Sequence, residues 1–153
     1  MSENRTEVAN MTSEARGQVY DQFSGLDVMS STIRSWAKDK GFEEDVDALH
    51  MLVESSVADE SQEKHLHDFI ETLFSLAQIG LIVSELGELA EAIRKPTNDD
   101  HLPDVPQHSA EMADTIIRLL HLNGRIGSVS LDDVTRQKLK YNETRPHKHG
   151  KKA

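Results

Sequence analysis

Between His65 and Lys95 apolar residues recur at the period of an α-helix. Leu66, Phe69, Ile70, Leu73, Phe74, Ala77, Leu81, Leu86, Leu89 and Ile93 trace one drifting stripe, and Pro96 ends it. A helix of that length must lay its stripe on other helices or on a sheet. The rest of the chain offers helices only: no segment alternates apolar and polar residues, and no Asn-Gly or Asp-Gly turn marks a hairpin. The expected fold is therefore all-α, a bundle of four to five helices.

The flanking signals place the other helices. Ser24 followed by Asp27 reads as an N-cap, and Leu26, Met29, Ile33 and Trp36 continue at helical spacing until Gly41, a left-handed C-terminal cap. Residues 43–63 are acid-rich and ambiguous. Val46, Leu49 and Val53 suit a short helix, and Ser55–Lys64 reads as a polar connection. After the Thr97–Pro106 loop a helix is expected from Gln107 to Asn123, stopped by Gly124 and Gly127. Ser130 then caps a last helix to Asn142. Residues 1–23 are read as a mobile arm with a helical turn near Val19–Phe23, residues 24–145 as the helical domain, and residues 146–153 as a basic tail. Ile79, Ile82 and Val83 widen the apolar face of the long helix, which points to a partner chain.

Composition narrows the chemistry. With no cysteine there is no disulfide scaffold, thiolate metal site or cysteine nucleophile, which fits a reducing cytoplasm. The longest apolar run, Leu76–Val83, is well short of the roughly 20 residues that span a bilayer, so no membrane association is expected. No secretory leader is read at the start. The chain of 153 residues carries a net charge of −10, unevenly placed. From Arg136 to the end there are seven basic residues and one acid, Glu143. A body so acidic repels polymeric nucleic acid. A basic strap beside it suits one small polyphosphate, although a solvated tail would have the same composition.

The acids themselves are patterned. Glu85 and Glu88 stand three residues apart inside the most apolar helix, and Glu111 and Asp114 stand three apart on the next long helix. Residues at i and i+3 share a helix face. Antiparallel packing would therefore bring four carboxylates together, and their repulsion calls for a cation. Oxygen-only ligands match Mg²⁺, with Mn²⁺ as substitute. Single pairs of this kind are common on solvated surfaces; two pairs within apolar helices are not. Gly87, costly in a helix interior, could admit a helix or ligand beside the acids. Glu91 can pair with Lys95 at i+4 and is otherwise a candidate to support the acid cluster, and Asp114 has Arg118 at i+4 as an alternative partner to metal. His108 reads as exposed. Trp36 fits either a core position or a stacking surface for a base.

The ordered set of Glu85-x-x-Glu88, Glu111-x-x-Asp114 and Lys138-x-x-x-Asn142-x-x-Arg145-Pro146 resembles the MazG-like members of the all-α NTP pyrophosphohydrolase superfamily. The text "LIVSELGELAEAIRK", "EMADTIIRLL" and "KLKYNETRPHKHGKK" carries the likeness, which covers roughly residues 24–152. The resemblance implies an all-α NTP pyrophosphatase fold, assembled as a homodimer or homotetramer. It implies Mg²⁺-dependent hydrolysis of a nucleoside triphosphate to the monophosphate and pyrophosphate by a metal-activated water. Glu85, Glu88, Glu111 and Asp114 would ligate metal, with Glu85 also orienting the water. Lys138, Asn142 and Arg145 would contact phosphate or sugar, with Lys148 and Lys151 as further candidates, and Trp36 would be the candidate for stacking on the base. Many relatives carry an acid directly before the first motif glutamate, where this chain has Ser84; serine there does not supply a third metal position or a dedicated base. Two other readings remain. A ferritin-like dinuclear carboxylate protein would want Glu-x-x-His motifs, which neither acid pair supplies. A non-catalytic helical adaptor would use its acids for solubility alone.

Overall fold

A computed structural model describes residues 12–146. Among them the regular structure is helical throughout: α1 (Ser13–Asp21), α2 (Leu26–Asp39), α3 (Glu44–Ser56), α4 (Glu60–Arg94), α5 (Gln107–Ile126) and α6 (Leu131–Glu143). No strand forms among these residues. A single antiparallel bridge, Asn98 to Pro106, closes the loop between α4 and α5. The all-α expectation holds, with five helices from Leu26 onward and one before it.

Several local signals act as read. Gly41 adopts φ +80°, the left-handed turn that ends α2. The Ser130 hydroxyl accepts the Asp133 N–H at the start of α6. Other boundaries differ. The polar stretch expected as a connection is mostly helix, because Asp59 accepts the N–H groups of Ser61 and Gln62 and starts α4 at Glu60. The first turns of α4 are solvated, so no apolar stripe announces them. Of the segment expected to be an arm, Ser13–Asp21 is helix.

The described residues form two compact units, one of residues 29–126 and one of residues 12–28 with 127–146. In the unit formed by the ends, α1 lies against α6. Arg16 grips Glu143 with two bonds of 2.7 and 2.8 Å, and the Tyr20 hydroxyl donates to the same carboxylate at 2.8 Å. Asp132 accepts the N–H groups of Gly25, Leu26 and Asp27, while Asp27 accepts from the Ser130 hydroxyl and the Leu131 N–H. Each aspartate thus caps the other's helix. The Ser130 hydrogen bond, then that of Leu131, holds the Asp27 carboxyl below its ordinary value.

In the larger unit α4 and α5 run antiparallel. Arg125 meets Glu71, Arg118 meets Glu85, and Glu111 meets Glu88, so one helix descends as the other climbs. Buried apolar side chains here are Ile33, Ala37, Val46, Ile82, Ala92, Leu120 and Leu122. Many others stay exposed, including Leu73, Leu76, Ile79, Val83 and Leu86 on α4. One 18-residue window of α4 reaches the length and composition of a membrane span, which the uninterrupted run Leu76–Val83 does not; 17% of it is buried within the chain.

Gly124 does not stop α5. The helix continues to Ile126, and a Cβ built on Gly124 would lie 2.6 Å from the Ser30 carbonyl oxygen and 3.0 Å from Arg34 Cβ. The glycine lets α2 and α5 approach, and Arg34 Nη1 donates to the Gly124 carbonyl at 3.0 Å. Gly124→Ala is expected to destabilise the chain by about 1–3 kcal/mol, because the obstructing atom is backbone. Urea unfolding checks this, and an unchanged midpoint would refute the close approach.

Candidate metal centre and adjoining cavity

The two acid motifs do converge. Glu85, Glu88 and Glu111 each place a carboxylate oxygen within 4.8 Å of the others. Glu85 and Glu111 are buried and Glu88 is exposed, so the cluster opens on one side. The helical i,i+3 spacing sets the first pair on one face of α4, and the antiparallel α5 brings Glu111 opposite. Asp114 does not complete the group. It is exposed, stands one turn along α5 and lines a neighbouring cavity.

The electrostatics follow from this crowding. Burial pushes the Glu111 carboxyl above its ordinary value of 4.5; the Gln107 amide hydrogen bond opposes this, and the charges of Glu88, Glu85 and Asp114 add to it. A carboxyl raised on folding binds its proton more tightly in the folded chain. Its contribution to stability therefore falls as pH rises from the ordinary value through the raised one. A bound cation would reverse that penalty.

Arg118 supplies part of the compensation. Its Nε donates to Glu85 Oε1 at 2.6 Å, across the two helices. Helical spacing alone pairs Arg118 with Asp114 on its own helix; the structure pairs it with Glu85. Glu91 does pair with Lys95, at 2.6 Å, as expected. Gly87 meets no close neighbour: a Cβ there would have nothing within 4 Å, so no helix among the described residues approaches it.

Beside the cluster lies a cavity of about 380 Å³, within the roughly 300–1,000 Å³ of small-molecule sites. Its walls combine Trp36, Phe42, Leu81 and Ile117 with Gln78, Asp114, Arg118 and His121. Trp36 is 49% exposed and tilts against Phe42 at a centroid distance of 5.6 Å. It is a cavity wall and not a core residue. Toward the C-terminal end of α4, Glu88 borders a second depression of about 280 Å³ with Lys95, Thr97 and Gln107.

A buried ion network that the sequence did not reveal supports the cavity floor. Glu43, 1% exposed, accepts from His121 Nε2 at 3.0 Å, from Arg34 Nε at 3.4 Å and from Arg125. Arg125 reaches on to Glu71 with bonds of 2.6 and 2.9 Å and covers the Phe74 ring at 4.7 Å. Burial alone would raise Glu43, but the His121 hydrogen bond and the charges of Arg125 and Arg34 outweigh it and hold the carboxyl below its ordinary value. The Arg125 hydrogen bond does the same for Glu71, against burial and helped by His50. The only sequence signal was the charge density of residues 43–47.

The remaining candidates belong to the other unit. Lys138, Asn142 and Arg145 are exposed along the last turns of α6 and just beyond, with Lys138 and Arg145 over the Tyr141 ring at 5.4 and 5.9 Å. Lys148 and Lys151 lie outside the described residues. His108 is half-buried. No family model matches the chain, and neither the curated proteins nor the solved structures compared with it give a match.

Proposed function

We propose that this chain is a Mg²⁺-dependent nucleoside triphosphate pyrophosphohydrolase of the MazG-like kind, converting an NTP or dNTP and water to the monophosphate, pyrophosphate and a proton. The carrying observation is the open cluster of Glu85, Glu88 and Glu111 next to a cavity walled by aromatic rings. Hard oxygen donors with an exposed side suit Mg²⁺, or Mn²⁺ in its place, sharing its coordination with phosphate. Bound there, the cation would neutralise phosphate charge and lower the pKa of a water.

The protein's own groups divide the remaining work. Glu88 faces solvent, where a cation it helped to hold would be open to phosphate oxygens. Glu85 gives Oε1 to Arg118, which leaves Oε2 to ligate metal or orient water. Asp114 lines the cavity and would border a substrate bound there. The resemblance assigns Lys138, Asn142, Arg145 and Lys148 to phosphate or sugar contacts, for which Arg145 has the fork suited to phosphate oxygens. The exposed leucines, isoleucine and valine of α4 fit a second copy of the chain, so the working enzyme is a homodimer or homotetramer.

Trp36 is the base platform in this reading. Base–aromatic stacking is worth about 1–3 kcal/mol, so Trp36→Ala is expected to weaken nucleotide binding about 5- to 150-fold while Mg²⁺ binding alone is unchanged. Calorimetry with a non-hydrolysable triphosphate measures both. In the wild type this sole tryptophan reports the same event by quenching of its fluorescence. The reaction itself is tested with a panel of nucleotides and Mg²⁺, scoring pyrophosphate apart from orthophosphate. Pyrophosphate with monophosphate supports the reading. Orthophosphate with diphosphate, or no turnover of any nucleotide, contradicts it.

A further inference from the structure

The two buried members of the acid cluster share one arrangement: each has one oxygen held by the protein and one left open. Glu85 gives Oε1 to Arg118. Glu111 gives Oε1 to Gln107, whose Nε2 donates to it at 3.3 Å. The other oxygen of each accepts no hydrogen bond among the described residues. No buried side-chain oxygen there lacks a partner, so both open oxygens are reached by solvent.

Behind the Glu111 contact stands a second bond. The Thr97 hydroxyl donates to Gln107 Oε1 at 2.6 Å, and the Gln107 backbone N–H donates to the Thr97 carbonyl at 2.9 Å. The direction of the side-chain bonds is fixed by their chemistry. An ionised carboxylate only accepts, so the Gln107 NH₂ faces Glu111, its carbonyl faces Thr97, and the hydroxyl must donate. Gln107 and Glu111 stand four residues apart, one turn along the same face of α5. Thr97 comes from the loop after α4, and that loop is internally tied. Asp99 N–H donates to the Val105 carbonyl at 2.9 Å, Asn98 Nδ2 donates to the Pro103 carbonyl at 2.7 Å, and Asp99 Oδ1 accepts the N–H groups of His101 and Leu102.

We propose that Gln107, braced by Thr97, is a positioning residue for the metal: it pins Oε1 of Glu111 so that Oε2 is presented to the cation. The inference rests on the metal centre proposed above and is independent of the nucleotide. A carboxylate turns readily about its terminal torsion, which is broad. A ligand held beforehand loses less freedom when the ion binds, and donors to ligating carboxylates typically contribute about 10- to 100-fold in affinity. The loop between α4 and α5 is in this view part of the site. It holds the hydroxyl that orients the amide that orients the ligand.

The test titrates Mn²⁺ alone into the full chain by calorimetry and, separately, unfolds the metal-free chain in urea. Gln107→Met keeps the length of the side chain and removes both polar ends; it should weaken Mn²⁺ binding about 10- to 100-fold. Thr97→Val keeps the shape and the backbone bond and should weaken binding by a smaller factor. Thr97→Ser keeps the hydroxyl and should bind Mn²⁺ like the wild type. A clip that only closes the loop predicts the opposite division: a lower urea midpoint with Mn²⁺ affinity unchanged. Should Gln107→Met lose its helix content by circular dichroism, the two Thr97 variants decide, because Thr97 is exposed. Unchanged affinity in a folded Gln107→Met, or equal affinity in Thr97→Val and Thr97→Ser, overturns the proposal and leaves the metal centre standing. No Mn²⁺ binding by the wild type overturns both.

Discussion

Glu88→Gln is expected to lower Mg²⁺-dependent pyrophosphate release by at least about a hundredfold, since a bound divalent ion supplies several kcal/mol of charge stabilisation. The substitution is nearly isosteric, and Glu88 is the exposed member of the cluster, so helix content should not change. It also removes one of the charges that raise Glu111. Without divalent ions the variant should therefore melt no lower than the wild type. With Mg²⁺ the wild type should gain stability, and the variant should gain less. The pairing of these results is diagnostic: a merely solvated glutamate would alter neither turnover nor the response to Mg²⁺. Wild-type turnover in Glu88→Gln would count directly against the site.

The second large effect concerns folding. Arg125→Met is expected to cost about 3–5 kcal/mol, because it removes one partner from a buried charge network and leaves Glu43 and Glu71 short of positive charge. In melting temperature that is about 6–20 °C at this chain length. The network also sets the response to acid. Glu43 and Glu71 are depressed below their ordinary 4.5 in the folded chain. Their stabilisation is therefore complete above that value and is lost as pH falls through the depressed ones. Arg125→Met should flatten this acid limb as well as lower the plateau. Thermal scans from neutral pH to about pH 3 measure both. A variant as stable as the wild type would show the network to be surface decoration.

What could be read from residue order was periodic or local. The α4 helix, the Gly41 turn and the Ser130 cap rest on periodic or local signals and occur as expected, although most of the α4 stripe stays exposed among the described residues. The i,i+3 acids were equally local, and two antiparallel helices turned three of the four into one cluster. Partnerships across the chain were not legible. Glu43 meets His121 and Arg125 from 78 and 82 residues away, with no spacing to announce it. Arg118 had a nearer acid on its own helix and took Glu85 instead. Gly124 looked like a stop because glycine commonly ends helices, yet it is needed where Ser30 crosses. The start of α4 carries no apolar signal because its first turns are polar; the Asp59 cap is the local feature that marks it. The i,i+3 spacing puts Asp114 on the same face of α5 as Glu111, yet one helical turn separates it from the place where the three glutamates gather.

The proposed hydrolysis depends on three carboxylates holding a divalent ion, and Mn²⁺ makes that directly visible. In an electron paramagnetic resonance titration, free Mn²⁺ gives a sharp six-line signal that collapses on binding. Wild-type protein should suppress this signal, Mg²⁺ should restore it by competition, and Glu111→Gln should leave it near full strength throughout. Suppression that persists in Glu111→Gln, or an undiminished signal with the wild type, would contradict the metal centre.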